Sequence, residues 1–123
     1  MKTYLVLYDI NDIEEYYVVK EESYSDALFC GISKCAEILD DMGFIDLSKA
    51  DTKACVREMV ANCDECLWSC DAFEIDEENI YSVIKELCID KETAIKIINE
   101  YKEMDWMNSL LEEVFVPMRP EGW

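Results

Sequence analysis

The sequence predicts an α+β fold, in which one domain follows the order ββααβαα. Three observations predict it. A length of 123 residues with 51% hydrophobic content suits one packed core. The first 20 residues are rich in Tyr, Val and Leu, as strands are, and apolar residues then recur at helical spacing. A hairpin and one later strand form a three-stranded antiparallel sheet, which needs helices across its apolar face. We expect a domain at 1–116 and a short C-terminal tail at 117–123.

The first three elements follow from local patterns. Residues 4–10 and 15–20 read as the strands of a β-hairpin, because turn residues separate them at 11–14. Ser23 or Ser25 offers an N-cap for the first helix, and Gly43 is placed to end it. The apolar stripe of this helix consists of Leu28, Ile32, Cys35, Leu39 and Met42.

The second half of the chain is predicted in the same way. Ser48 and Asp51 resemble a capping pair for a second helix, which is expected to end within 62–66. Partial alternation over 67–75 predicts a third strand, with a continued helix as the alternative. Asp76 and Asp90 can cap a third and a fourth helix. Trp106, Leu110, Leu111 and Phe115 continue or restart the last helix, and Pro117 and Pro120 stop regular structure.

The net charge of the chain is negative and is concentrated in three segments. There are 29 Asp and Glu residues against 11 Lys and Arg, which gives a formal net charge of −18. Segments 9–26, 64–78 and 100–113 carry −6, −7 and −4, and so nearly all of the excess. The first two flank or occupy predicted strands, and we expect them to meet at one end or edge of the sheet. A solubilising role would need a net charge of only roughly 2–8, so the excess suggests binding to a basic surface.

Residue types exclude most catalytic and cofactor chemistry. The chain has no histidine, and its three glycines cannot form a phosphate-binding loop, so we expect no enzyme. The one metal-like cluster is Cys63-Asp64-Glu65-Cys66 with Cys55 and Cys70. It lacks the second half of a zinc site, and core packing of these cysteines is the preferred reading. We therefore predict no metal site and no cofactor.

Seven cysteines without a signal peptide indicate a cytoplasmic protein with reduced thiols. No apolar run approaches the roughly 20 residues of a membrane span. The acidic character argues against direct binding of nucleic acid or anionic membranes. The oligomeric state stays open at this point.

In size, composition and strand-associated acidic clusters, the chain resembles the small acidic phage anti-CRISPR proteins and other DNA mimics. The resemblance implies an inhibitor that docks carboxylates in the basic nucleic-acid channel of a CRISPR-Cas nuclease or similar effector and blocks DNA or RNA access. The alternatives are an immunity protein that neutralises a basic nuclease toxin, and a non-catalytic dimeric interaction module.

The candidate partner-binding residues are the acidic side chains of the first two charged segments. Reversing Glu74, Asp76 and Glu78 to Lys is expected to abolish inhibition and leave the fold intact. The full set is Asp9, Asp12, Glu14, Glu15, Glu21, Glu22, Asp64, Glu65, Asp71, Glu74, Asp76, Glu77 and Glu78.

Overall fold

The computed structural model describes the backbone of residues 1–112 and the side chains of residues 1–104. In chain order the elements are β1 (Lys2–Ile10), β2 (Ile13–Glu21), α1 (Tyr24–Asp41), a 3-10 turn (Leu47–Lys49), α2 (Lys53–Ala61), β3 (Trp68–Glu74), α3 (Ile80–Glu86) and α4 (Lys91–Glu112). The strands form one antiparallel sheet in the order β2-β1-β3. The predicted α+β class and the order ββααβαα are confirmed.

Contacts divide the chain into two compact units, which begin at Met1 and Ile75. The first unit holds the sheet, α1 and α2, and the second holds α3 and α4. The assignment of 1–116 to one domain stays a prediction. The predicted tail at 117–123, with Pro117 and Pro120, lies outside the described residues, as does Phe115. Trp106, Leu110 and Leu111 fall within α4, beyond the last described side chain.

The hairpin turn is tighter than the sequence pattern indicates. Ile10 pairs directly with Ile13, so Asn11 and Asp12 alone form the turn. Both have positive φ angles, of 51° and 66°. This is the backbone of a type I′ turn, which Asn and Asp tolerate better than other non-glycine residues do. The turn therefore fixes the position of Asp12 at the end of the hairpin.

The first helix begins and ends with recognisable caps. Ser23 is its N-cap, and the hydroxyl oxygen accepts a hydrogen bond from the Asp26 N–H at 3.2 Å. At the other end Gly43 has a φ of +81°, and the Phe44 N–H donates to the Leu39 carbonyl at 2.9 Å. This is a Schellman motif, in which glycine adopts the left-handed conformation without steric cost.

The predicted cap of the second helix is wrong. Ser48 lies in the 3-10 turn, which Asp46 caps, and α2 begins later. Its N-cap is Thr52, whose hydroxyl accepts from the Cys55 N–H at 3.1 Å. The Ser48 and Asp51 pattern failed because a second possible cap follows directly, and the sequence does not show which of the two opens a longer helix.

Of the predicted caps of the third and fourth helices, the structure bears out only that of the fourth. Asp90 caps α4 as predicted, since its carboxylate accepts from the Thr93 N–H at 3.3 Å. Asp76 does not cap α3 directly. Its Oδ1 accepts from the N–H groups of Glu78 and Asn79, both at 2.8 Å, and so closes the turn that precedes the helix.

The core of the first unit lies between the sheet and α1. One cluster of buried residues joins Ile10 to Cys35, Ala36, Leu39 and Val60. A second buried cluster consists of Tyr4, Val6, Ala27 and Ala72. At Gly31 the helix comes so close that an added Cβ would lie 3.1 Å from both Val6 Cγ1 and Cys70 Cβ. Glycine here allows the close approach of helix to sheet.

Cys88 carries a strained backbone that a substitution can relieve. It follows α3 with a φ of 54°, and the Ile89 N–H donates to the Ile84 carbonyl at 3.2 Å, so the helix ends in a Schellman motif without glycine. We expect Cys88→Gly to raise the free energy of unfolding by about 1 kcal/mol, because glycine escapes the left-handed penalty. Urea unfolding followed by circular dichroism measures it. Cys88→Ser keeps the strain and is the matched control; an equal gain in both variants would contradict the explanation.

Candidate functional site

Residues of the two acidic segments lie at both ends of the sheet. The register places Asp9 opposite Glu14 beside the hairpin turn, whereas Lys2 faces Glu21 and Tyr4 faces Glu74 toward the other end. At ~3.3 Å per residue, the two ends are separated by roughly 20 Å. The meeting of the two segments is therefore divided between both ends of the sheet, because β3 runs antiparallel to β1 and the acidic residues of its segment lie beyond both ends.

Hydrogen bonds or an ion pair within the fold hold at least five of the thirteen predicted site residues, and four of these lie in the sheet. Glu14 accepts from the Tyr16 hydroxyl at 3.0 Å. Glu21 accepts from the Cys30 thiol at 3.4 Å. Glu74 forms an ion pair with Lys2 at 3.4 Å. These contacts give the carboxylates a structural use that the charge count does not show.

Asp71 is the fourth and has two donors. Its Oδ1 accepts from the Tyr24 hydroxyl at 3.0 Å and from the Ala72 N–H at 2.8 Å. The hydrogen bond to Asp71 raises the pKa of Tyr24. Asp71 thus joins the first turn of α1 to the edge strand β3.

Asp76 is the fifth, through the turn before α3. Because its carboxylate holds two backbone N–H groups, reversing it to Lys removes both hydrogen bonds. The Glu74, Asp76 and Glu78 variant is therefore expected to lose stability at the turn before α3, and whether it retains the fold stays a prediction. Glu77 and Glu78 are exposed in the second unit, and Glu22 is exposed beyond the open end of the hairpin.

Three of the remaining acidic residues lie together beside the hairpin turn. Asp9, Asp12 and Glu65 line a cleft of about 540 Å³ beside the turn, and Asp64 is exposed next to Glu65. The lining contains no Lys or Arg, and among the side chains described to residue 104 none pairs with these three carboxylates. We call this the hairpin-end cleft, lined by Asp9, Asn11, Asp12, Glu65, Cys66, Leu67, Trp68 and Ser69.

The position of Glu15 separates it from this cleft. It lies opposite Tyr8, on the sheet face that includes Tyr17 and Val6, and it is exposed. Lys20, the one base of the first acidic segment, pairs with Thr3 toward the open end of the hairpin. The turn end of the hairpin therefore carries acidic side chains, and the one basic residue of segment 9–26 lies toward the opposite end.

Leu67 is the feature that sequence reasoning missed. The strand predicted at 67–75 included it, but β3 begins at Trp68, and Leu67 is 94% exposed. Its neighbours Cys66 and Trp68 both pack against the cluster around Leu39. Nothing in the local sequence distinguishes Leu67 from a buried strand residue, since its exposure depends on where the strand starts.

Three of the cysteines lie in or against the core, whereas Cys88 is exposed. Cys35 is buried, and Cys63 and Cys66 pack partly against the same cluster. Burial raises the pKa of the Cys35 thiol to about 12, and it also raises the pKa of Cys30 and Cys70. The described residues contain no group of three or more Cys, Asp or Glu side chains that could hold a metal ion.

Comparisons with protein-family models, with curated proteins and with solved structures found no match to this chain. Among the described residues, no helix combines the length and the apolar character that a membrane span requires.

Proposed function

We propose that the protein is an inhibitor that binds the basic nucleic-acid channel of a CRISPR-Cas nuclease or a similar effector and blocks access of DNA or RNA. The observation that supports this most is the hairpin-end cleft. Three carboxylates without a basic neighbour line it, and an exposed leucine lies beside them. Carboxylates offer acceptors to the Arg and Lys donors that otherwise bind phosphate.

The charge of the whole chain supports the same function through the rate of association. A formal charge of −18 on a 123-residue chain produces a strong negative field. Such a field accelerates encounter with a basic channel and lowers affinity for nucleic acid itself. The exposed Leu67 side chain then adds apolar contact area, and the charges orient the partner.

The test is a competition assay with a panel of purified nucleic-acid enzymes, which includes CRISPR-Cas nucleases and basic nuclease toxins. We expect the protein to displace labelled DNA or RNA from one class of enzyme with 1:1 stoichiometry. Affinity should fall at least about tenfold when salt rises from about 50 mM to about 200 mM, because the contacts are ionic.

The panel also separates the alternatives. Inhibition confined to nuclease toxins would assign the chain to the immunity proteins. Nucleic-acid binding left intact in every enzyme, or inhibition insensitive to salt, would contradict the proposal. A dimer that persists at high salt in light scattering, without inhibition, would favour the interaction module.

A further inference from the structure

The outer edge of β2 is a regular row of backbone hydrogen-bonding groups. In the sheet of the described chain, β2 has a neighbouring strand on one side only. Its nine residues pair one to one with β1 without a bulge, and none of them is Gly or Pro. Within the first unit, β2 packs against β1 and, on one face, against α1. The strand is therefore long and regular enough to pair with a further strand on its other side.

The tight turn decides which backbone groups of β2 point outward. In a type I′ turn the flanking residues, here Ile10 and Ile13, exchange hydrogen bonds, and bonded and non-bonded pairs then alternate along the hairpin. The even-numbered residues of β2 therefore direct their N–H and C=O groups away from β1. The same alternation turns the Ala72 N–H to the outer side of β3, and its hydrogen bond to the Asp71 carboxylate agrees with that direction.

Three of the outward N–H groups of β2 have no acceptor among the residues that the structure describes. They belong to Glu14, Val18 and Lys20. Glu14 is exposed and Lys20 is half-buried, so solvent reaches both ends of this edge. An extended segment that lies along the edge gains a backbone hydrogen bond for each of these groups that it pairs.

The side chains of β2 determine which kind of segment fits. Glu14, Glu15 and Glu21 lie near the ends of the strand, whereas Tyr and Val occupy residues 16–19. The one basic residue is Lys20. Neighbours of opposite charge and β-branched or aromatic neighbours stabilise adjacent strands, whereas like charges destabilise them. The complementary segment is therefore basic toward its ends and apolar in its centre.

The same charges disfavour a second copy of the chain at this edge. A second β2 brings its own excess of glutamates, and each chain has a formal net charge of −18, so the two copies repel each other. Glu14 and Glu21 accept hydrogen bonds from the Tyr16 hydroxyl and the Cys30 thiol. A carboxylate has further acceptor sites, so a cationic side chain can still pair with each of them.

We propose that the outer edge of β2 binds an extended segment of a partner protein, which adds to the sheet as a fourth strand. Lys or Arg residues near the ends of the segment pair with Glu14 and Glu21, and its β-branched centre lies beside Tyr17 and Val18. The inference goes beyond the proposed function, because any partner protein with such a segment fits this edge.

The test uses the whole protein and the peptide acetyl-Lys-Arg-Val-Thr-Val-Thr-Arg-Lys-amide. Amide hydrogen exchange is followed by NMR with and without saturating peptide. In the free protein, we expect the N–H groups of Glu14, Val18 and Lys20 to exchange at least about tenfold faster than those of Tyr17 and Val19, which bond β1. Saturating peptide should slow the exchange of the three outward groups at least about tenfold.

Two variants of Lys20 separate backbone pairing from charge. Lys20→Pro removes an outward N–H, and an edge strand tolerates proline where the neighbouring strand does not use that group. The matched control is Lys20→Ala, which loses the same positive charge and keeps the N–H. We expect the proline variant to bind the peptide at least about fivefold more weakly than the control. Equal affinities would mean that charge alone holds the peptide and would overturn the proposal.

Circular dichroism verifies that both variants fold, and the exchange pattern of the parent protein decides the question if the proline variant unfolds. The reversed-charge peptide acetyl-Glu-Asp-Val-Thr-Val-Thr-Asp-Glu-amide should bind at least about tenfold more weakly. Equal binding of this peptide, or outward N–H groups that saturating basic peptide leaves unprotected, would overturn the proposal. Protection that rises with protein concentration in peptide-free samples would assign the edge to a second copy instead.

The enzyme panel and the peptide experiment have separate outcomes. Peptide pairing along β2 without inhibition of any enzyme would refute the proposed function alone. Inhibition of an enzyme by a protein whose outward β2 groups stay unprotected in the presence of the basic peptide would refute the edge assignment alone.

Discussion

The variant Asp9→Lys/Asp12→Asn/Glu65→Lys is expected to bind the target enzyme at least about 100-fold more weakly than the parent protein. Each lysine would turn the proposed attraction to the basic side chains of the partner into a repulsion. Asp12 is changed to Asn because its positive φ tolerates Asn, whereas Lys would strain the turn. Competition with labelled nucleic acid measures the loss, and circular dichroism verifies that the fold is retained.

The matched control is Asp41→Lys/Asp51→Asn/Glu58→Lys, which changes the net charge by the same amount. These residues are exposed and lie outside the hairpin-end cleft. We expect the control to bind within about threefold of the parent, through the general field alone. Equal losses in both variants would show that total charge, and not the cleft, determines binding.

The substitution Leu39→Ala is expected to lower the free energy of unfolding by about 3–4 kcal/mol. Leu39 is fully buried in the cluster with Ile10, Cys35, Ala36 and Val60. Removing its side chain loses the transfer free energy of the methyl groups and leaves a cavity between α1 and the sheet. Such a loss is a large part of the roughly 5–15 kcal/mol that stabilises a small protein.

Leu67→Ala is the matched control for this prediction. The same atoms are deleted, but the Leu67 side chain is 94% exposed, so stability should change by less than about 0.5 kcal/mol. Urea unfolding of both variants gives the comparison. A similar loss in both variants would mean that Leu67 is buried in solution, which would contradict its exposure beside the hairpin-end cleft.

Local chemistry made most of the fold predictable. The strand residues alternate or are β-branched. Ser23 and Asp90 cap helices, and Gly43 ends the first helix. Each of these sequence signals depends on neighbours within a few residues. The errors occurred where two adjacent signals competed. Thr52 caps the second helix in place of Ser48, and Asp76 holds a turn before α3 in place of the helix itself.

The candidate site was less predictable, because it depends on strand register. The acidic excess was visible in the sequence, but charge counting could not separate Asp71, which accepts a hydrogen bond from Tyr24, from Asp9, which lines the cleft. The pairing of Ile10 with Ile13 and with Trp68 brings the turn beside residues 65–69. That pairing joins residues more than 50 positions apart, and no local pattern encodes it.

The hydrogen bond from the Ala72 N–H to Asp71 affects how a partner can approach. With the order β2-β1-β3, β3 is an edge strand, and an edge strand can extend its sheet by pairing with a peptide from another protein. Along β3, one such N–H is already occupied by a side chain, and Tyr24 holds that side chain in place. A peptide that paired with β3 at this position would first have to displace the Asp71 side chain from the Ala72 N–H, which disfavours recognition by β-augmentation at the middle of this edge.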